Sequence, residues 1–188
     1  INAAKKANTI IKNVKVYNNL EDALNNFTYV VATTNRKRYL QKKSTSDFKF
    51  LKRKIISNKK IAILFGPENS GLSNEDLRLS DIIFTIETNK KSNSLNLSHA
   101  VAILGYKLYE LNNLKSLSNL NNEPSNVNKL QLSKYLNYLF KNLDDKNFFS
   151  PKEKKQSMKD NIYAIFTKLS LSKKELQTLW GITKKLIN

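Results

Sequence analysis

Residues 61–110 read IAILFGPENSGLSNEDLRLSDIIFTIETNKKSNSLNLSHAVAILGYKLYE. An apolar run, Ile61–Phe65, enters a loop bounded by Gly66 and Gly71. A second apolar run follows at Ile82, and a polar Ser/Asn loop then opens a long amphipathic stretch. Continuous apolar runs of this length have the character of buried parallel strands. In α/β folds, ligands bind in the loops where such strands end, so this stretch sets the functional question.

Working outward, four short β-type runs stand out: Val14–Tyr17, Tyr29–Thr34, Ile61–Gly66 and Ile82–Glu87. Between the first two, Asn18 and Glu21 have capping-box spacing, and Leu20, Ala23, Leu24 and Phe27 make a helical stripe. Ser73 and Asp76 repeat that spacing after the glycine loop. Leu97, Ala100, Val101, Leu104, Gly105 and Leu108 fall on one helix face. Strands alternating with helices predict an α/β layer with a largely parallel sheet flanked by helices.

The stretch Leu111–Asn128 is polar, rich in Asn and Ser, and contains Pro124, so a linker is expected at 113–128. It divides a sheet-bearing unit, 1–112, from a helical C-terminal extension, 129–188. Three amphipathic patterns build that extension. The first runs through Leu132, Tyr135, Leu136, Leu139, Phe140 and Leu143. The second holds Met158, Ile162, Ile165, Phe166 and Leu169, and the third Leu176, Leu179, Trp180 and Leu186 after a Ser172/Glu175 capping box.

Bulk composition narrows the chemistry. The 188 residues contain no Cys and one His, so disulfides, Cys-ligated zinc and His-based metal clusters are excluded and no metal is expected. No apolar run approaches the roughly 18 residues that span a bilayer. The net charge of +18 points to a polyanion; the abundance of Lys, Asn and Ile is equally what an AT-rich genome encodes. Codon bias does not explain clustering, however. From Arg36 to Lys60 eleven residues are basic, among them Arg38, Lys42, Lys43, Lys52 and Arg53, and only Asp47 is acidic. With Tyr39, Phe48 and Phe50 interleaved, this is the chain's RNA-facing candidate, a solvated loop being the alternative.

Gly66–Ser73 (GPENSGLS) nearly matches the phosphate-binding pattern GxxxxGK[ST], but Leu72 occupies the lysine position and Glu68 would repel phosphates. Nucleotide triphosphatase chemistry is therefore not expected. The loop gains meaning from its neighbours. Three strand ends (TTNRKR, GPENSGL and TNKKSNSLNLS) present Thr, Asn, Ser, Gly and Arg to one sheet edge. Such a rim offers hydrogen bonds to an adenine and a ribose, with cations beside it for phosphate.

These residues carry a resemblance. FGPENSGLSNEDL with SNSLNLSHAVAILGYKLYE is similar to motifs two and three of the SPOUT methyltransferases. VATTNRKR resembles the arginine-bearing motif of the TrmJ-type branch, which acts on tRNA ribose, and FFSPKEKKQSMKDNIYAIFTKLSLSKKELQTLWGI resembles that branch's helical tail. The resemblance implies a trefoil-knotted parallel sheet, S-adenosylmethionine as cofactor, a homodimer sharing its active sites, and a cytoplasmic enzyme. It further implies methyl transfer to a ribose 2′-hydroxyl of tRNA, the anticodon-loop nucleotide 32 being the branch's usual target.

Carried over by position, Thr33, Thr34, Asn35, Gly66, Ile86, Asn93, Ser94 and Leu95 would bind the cofactor. Arg36 and Ser94 would serve catalysis, and Arg36, Arg38, Lys42, Lys43, Lys52 and Arg53 would contact RNA. Ser94 is equally placed to cap the following helix. Arginine is a poor base because its pKa exceeds about 12, so Arg36 is expected to position and to stabilise charge. The lone His99 is expected to be packed or exposed, not catalytic. The family's motif one, Asn-x-Gly with an Arg, finds no match, and an N-terminal piece carrying it is expected to precede Ile1. The same chemistry on another tRNA or ribosomal RNA site, and an RNA-binding protein without catalysis, are the alternative readings.

Overall fold

The computed structural model describes residues 8–36, 42–57, 60–89, 95–112 and 126–187. Four parallel strands, β1 (Tyr29–Thr33), β2 (Ser44–Thr45), β3 (Ile61–Phe65) and β4 (Ile82–Phe84), form one sheet in the order β2-β4-β1-β3. β1 and β4 are buried on both sides, as their unbroken apolar sequence requires.

Alternation along the strands separates two cores. Tyr29, Val31, Ile82 and Phe84 meet Leu51 of α3 (Phe48–Ser57) and Leu104 of α5 (Leu97–Asn112). Ala32 and Ile83 point the other way, onto Leu72 and onto Leu77 of α4 (Asn74–Arg78). Helices therefore cover both faces. The α/β class and the parallel sheet are as the sequence predicts; residues 90–94, whose threading would define a knot, lie outside the described residues.

The sequence pattern departs from the structure in several places. Val14–Tyr17 forms no strand: it follows the short helix α1 (Asn8–Lys12), and Val14, Val16 and Tyr17 are exposed. Extended propensity makes a strand only beside a partner, and none of the described strands pairs with this segment. The next helix, α2 (Leu20–Leu24), is capped one residue later than its spacing suggests: Asn19, not Asn18, accepts from the Asp22 amide at 2.8 Å. Ser73/Asp76 and Ser172/Glu175 do form reciprocal caps.

The C-terminal helices α6 (Lys129–Asp145), α7 (Lys155–Lys168) and α8 (Lys173–Ile187), with a short 3₁₀ turn at Lys152–Lys154, enclose a core of their own. Tyr135, Leu136, Phe140, Tyr163 and Leu176 form its centre, and Trp180 stacks edge-on to Tyr135. Ile165, Leu169 and Leu186, expected in the packed stripes, face solvent, while Tyr163, Ala164 and Thr183 take the interior places. Asn126–Asn128, which the sequence assigns to the linker, packs with this unit. Asn126 pairs with Ser172, Val127 is buried, and Asn128 caps α6.

The helical unit is held to the sheet by polar contacts. Asp81 uses both carboxylate oxygens, one accepting from the Val30 amide and one from Lys129 Nζ, each at 2.6 Å. The ion pair is about nine-tenths buried on both sides. Arg78 of α4 reaches Asp160 of α7 at 3.5 Å and lies over the Tyr163 ring. The Lys129 amide donates to Phe27 O at 3.0 Å, so α6 starts against the end of the α2 segment.

Candidate active site

Because β1, β3 and β4 run parallel and in register, they end together: Thr33 stands opposite Phe65 on one side and Phe84 on the other. The chain leaves β1 toward strands on both sides, and such a switch point leaves a crevice at the carboxyl ends of the strands. A cavity of about 530 Å³ opens there. It is lined by Thr33, Thr34, Asn35, Arg36, Phe65, Gly66, Pro67, Glu68, Gly71, Phe84, Ile86, Thr88, Leu95, Leu97 and Ala100.

The rim is fixed by its own hydrogen bonds. Thr33 Oγ1 donates to Leu64 O at 2.7 Å, and Thr85 Oγ1 donates to Thr34 O at 2.9 Å. Thr34 Oγ1 in turn accepts from the Arg36 amide at 3.1 Å, a local turn that sets the direction of Arg36. The exposed guanidinium reaches across the mouth to Asn69 O at 3.4 Å. Thr33 and Thr34 therefore shape the wall with hydroxyls already engaged, and the apolar Phe65, Phe84, Ile86 and Leu95 supply much of the remaining lining.

The loop after β3 folds back on its own start. A Cβ at Gly66 would lie 2.2 Å from the Leu72 amide nitrogen and 2.3 Å from the Gly71 carbonyl carbon, so only glycine fits. Gly71 has φ +67°, which also favours glycine, and its amide donates to Pro67 O at 2.8 Å. Leu72, where a phosphate loop has its lysine, is buried with Ala32, Leu77 and Ile83 and anchors the loop to the sheet. Glu68 is tied to the opposite wall: Asn96 Nδ2 donates to Glu68 Oε1 at 2.6 Å. Asn96 Oδ1 accepts from the Ser98 amide and hydroxyl, which makes Asn96 the cap of α5.

Of the cofactor residues expected from sequence, Thr33, Thr34, Asn35, Gly66, Ile86 and Leu95 line one cavity together, with Arg36 among them. Asn93, Ser94 and Arg38 lie outside the described residues. Phe65, Pro67, Gly71, Phe84, Thr88, Leu97 and Ala100 were not anticipated, although each sits within two residues of a predicted strand end, the glycine loop or the predicted α5 helix. His99 is exposed on α5. Among the described residues no group of three or more His, Cys, Asp or Glu side chains gathers to hold a metal.

The basic segment needs correction. Lys42 is not a surface phosphate contact. Its ammonium donates to Arg78 O at 2.8 Å, Ser80 O at 2.5 Å and Thr167 Oγ1 at 2.9 Å, bridging the sheet unit to α7. Burial pushes its pKa down to about 7, against the opposing pull of Asp81. Phe48 is a core residue packed edge-on against Phe84 at 4.8 Å, so it is not free to stack on bases. Lys43 and Arg53 are exposed, Lys52 is half-buried, and Lys43 Nζ sits 4.6 Å over the Phe50 ring.

The chain that carries this parallel switch-point crevice, doubled-back glycine loop and helical tail is a methyltransferase of the SPOUT class, as its relatives show. Residues 1–106 match the SpoU rRNA Methylase family, and the chain belongs to that family as an RNA methyltransferase. Over 186 residues it is 32% identical to the tRNA (cytidine-2'-O-)-methyltransferase TrmJ of Methanocaldococcus jannaschii, across 96% of this chain and 79% of the relative. It is 27% identical to the tRNA (cytidine/uridine/adenosine-2'-O-)-methyltransferase TrmJ of Pseudomonas aeruginosa, across 95% and 74%. The crystal structure of TrmJ from Z. mobilis ZM4 superposes with a TM-score of 0.87 at 26% identity, covering all of this chain and 80% of that one.

Proposed function

We propose that the chain methylates a ribose 2′-hydroxyl of tRNA, at the anticodon-loop pyrimidine 32, using S-adenosylmethionine. The observation that carries this reading is a cavity at the ends of β1, β3 and β4 that is lined by six of the eight residues expected to hold the cofactor. Its size lies within the roughly 300–1,000 Å³ of small-molecule sites. Its apolar walls suit an adenine, and the backbone of the Thr33–Asn35 and Gly66–Gly71 segments suits the ribose and amino-acid parts. S-adenosylmethionine, when bound, supplies an electrophilic methyl group.

The chain's own residues do the rest. Arg36, directed across the mouth by the Thr34 turn, grips the phosphate next to the target ribose and stabilises the negative charge that grows on the 2′-oxygen. It positions and does not abstract the proton, which passes to solvent or to a group on residues outside those described. Two copies are proposed to pair along α5, where Val101, Ile103, Tyr106 and Tyr109 are exposed. No helix among the described residues is long and apolar enough to cross a membrane.

Nucleoside mass spectrometry of tRNA incubated with the protein and S-adenosylmethionine tests the reading. A 2′-O-methylated pyrimidine mapping to position 32 is expected. Methylation at another site moves the target, and cofactor binding with no methylated product would favour an RNA-binding protein without catalysis.

A further inference from the structure

A second cavity, of about 540 Å³, lies at the opposite edge of the sheet, on the seam between α3 and the end of α7. It opens where β1 and β4 begin, at Tyr29 and Ile82, and takes in Phe50 and Lys54 of α3 and Lys168 and Ser170 of the tail. Four lysines line it: Lys42, Lys43, Lys54 and Lys168. The one carboxylate in its wall, Asp81, is already engaged by Lys129 and the Val30 amide. Lys43 and Lys168 form no ion pair among the described residues. A concave site with so unbalanced a charge, made by two units of the chain together, suits an anion that enters between them.

The geometry points to a phosphate-binding subsite for the RNA substrate at this seam, in which Lys43 and Lys168 clamp a backbone phosphate from opposite sides. The inference rests on the RNA-methyltransferase reading above. A phosphodiester is favoured over a carboxylate or a free nucleotide because the donors are point charges on flexible stems at an open mouth. They give no fixed fork for a carboxylate, and of the two rings in the lining Phe50 is already covered by Lys43 and Tyr29 is buried. The distance also suits one polymer reaching both cavities. Five-residue β1 separates them, a span of about 13 Å. A tRNA stem whose loop enters the methylation site would pass the seam within that length. Lys42, on the cavity floor, adds positive charge as it takes up its proton near neutrality.

The test is filter binding of tRNA to the full chain between 50 and 200 mM salt, comparing wild type with Lys43→Gln/Lys168→Gln. A control of equal charge, Lys141→Gln/Lys185→Gln, changes lysines outside the cavity. Each lost phosphate contact should lower the slope of log affinity against log salt by about 1. The seam variant is therefore expected to lose about one from its slope and about tenfold in affinity. The control should stay near wild type, and Lys43→Arg/Lys168→Arg should restore binding. S-adenosylmethionine affinity, measured by calorimetry, should not move, because neither residue lines the other cavity. If the seam variant and the control lose equally, the lysines act only through net charge and the subsite is overturned while the enzyme reading stands. If the wild-type chain binds no tRNA, both are overturned.

Discussion

Arg36 carries the sharpest residue-level expectation. Its amide is held by Thr34 Oγ1 and its guanidinium bridges to Asn69 O, so truncation removes a charge at the mouth without disturbing the cavity walls. Arg36→Ala should lower methylation by about 10²-fold or more, while S-adenosylmethionine affinity measured by calorimetry stays within about threefold. Equal loss of both would make the arginine a structural part of the rim. At this scale the sequence was informative because strand ends and glycine loops are local signals. Thr33, Asn35 and Gly66 could be placed at one sheet edge from their neighbours, while a role toward a cofactor came only from the family resemblance. Lys42 could not. Nothing in KKSTSD distinguishes a lysine that turns inward onto Ser80 O and Thr167 from the adjacent Lys43 on the surface, because its acceptors come from 36 to 125 residues away.

At the scale of elements, that lysine ties α7 to the segment before β4, and its titration should be readable. In the unfolded chain a lysine holds its proton up to about 10.5, whereas burial brings Lys42 down to about 7 in the folded one. Below 7 both states are protonated and the cost of burying the charge is fully present. Between 7 and 10.5 the folded state releases the proton first, so stability rises with pH across that window and levels off above it. The contribution is on the order of 5 kcal/mol. Urea unfolding at pH 7 and pH 10 should show this gain in the wild type and a flatter response in Lys42→Met; parallel responses would refute the assignment. Elements were legible where an apolar run or a capping box marked them, whatever their length. β2 is two polar residues, Ser44 and Thr45, and exists only because β4 offers an edge. The amphipathic α3 was hidden by its own lysines, although Phe48, Leu51 and Ile55 recur on its buried side. Val14–Tyr17 shows the converse error, β propensity without a neighbouring strand.

For the whole molecule, α5 leaves Val101, Ile103, Tyr106 and Tyr109 exposed, and Tyr106 and Tyr109 are each more than 60% accessible. On the proposed pairing, Tyr106→Glu should shift the protein from dimer to monomer in light scattering after size-exclusion chromatography, since a charge in an apolar interface is costly. An unchanged mass would move the interface elsewhere. The sequence assigned α5 one apolar stripe and did not reveal that its residues divide, Leu104 going to the sheet and Val101 and Gly105 to the surface. A single helical period cannot say which neighbour covers which side. The docking of the helical tail was invisible for a related reason: it rests on Asp81–Lys129 and Arg78–Asp160, pairs far apart in the chain and unremarkable among so many charges.

The doubled-back loop at Gly66 has a consequence for variation. With backbone atoms 2.2–2.7 Å from where a Cβ would stand, a library randomised at this position and selected for a folded protein would return glycine alone, whatever the substrate. Gly181, in α8, has open space around the same point and should accept many residues. Diversification aimed at a new substrate thus has to spare position 66 and work through the side chains at the mouth.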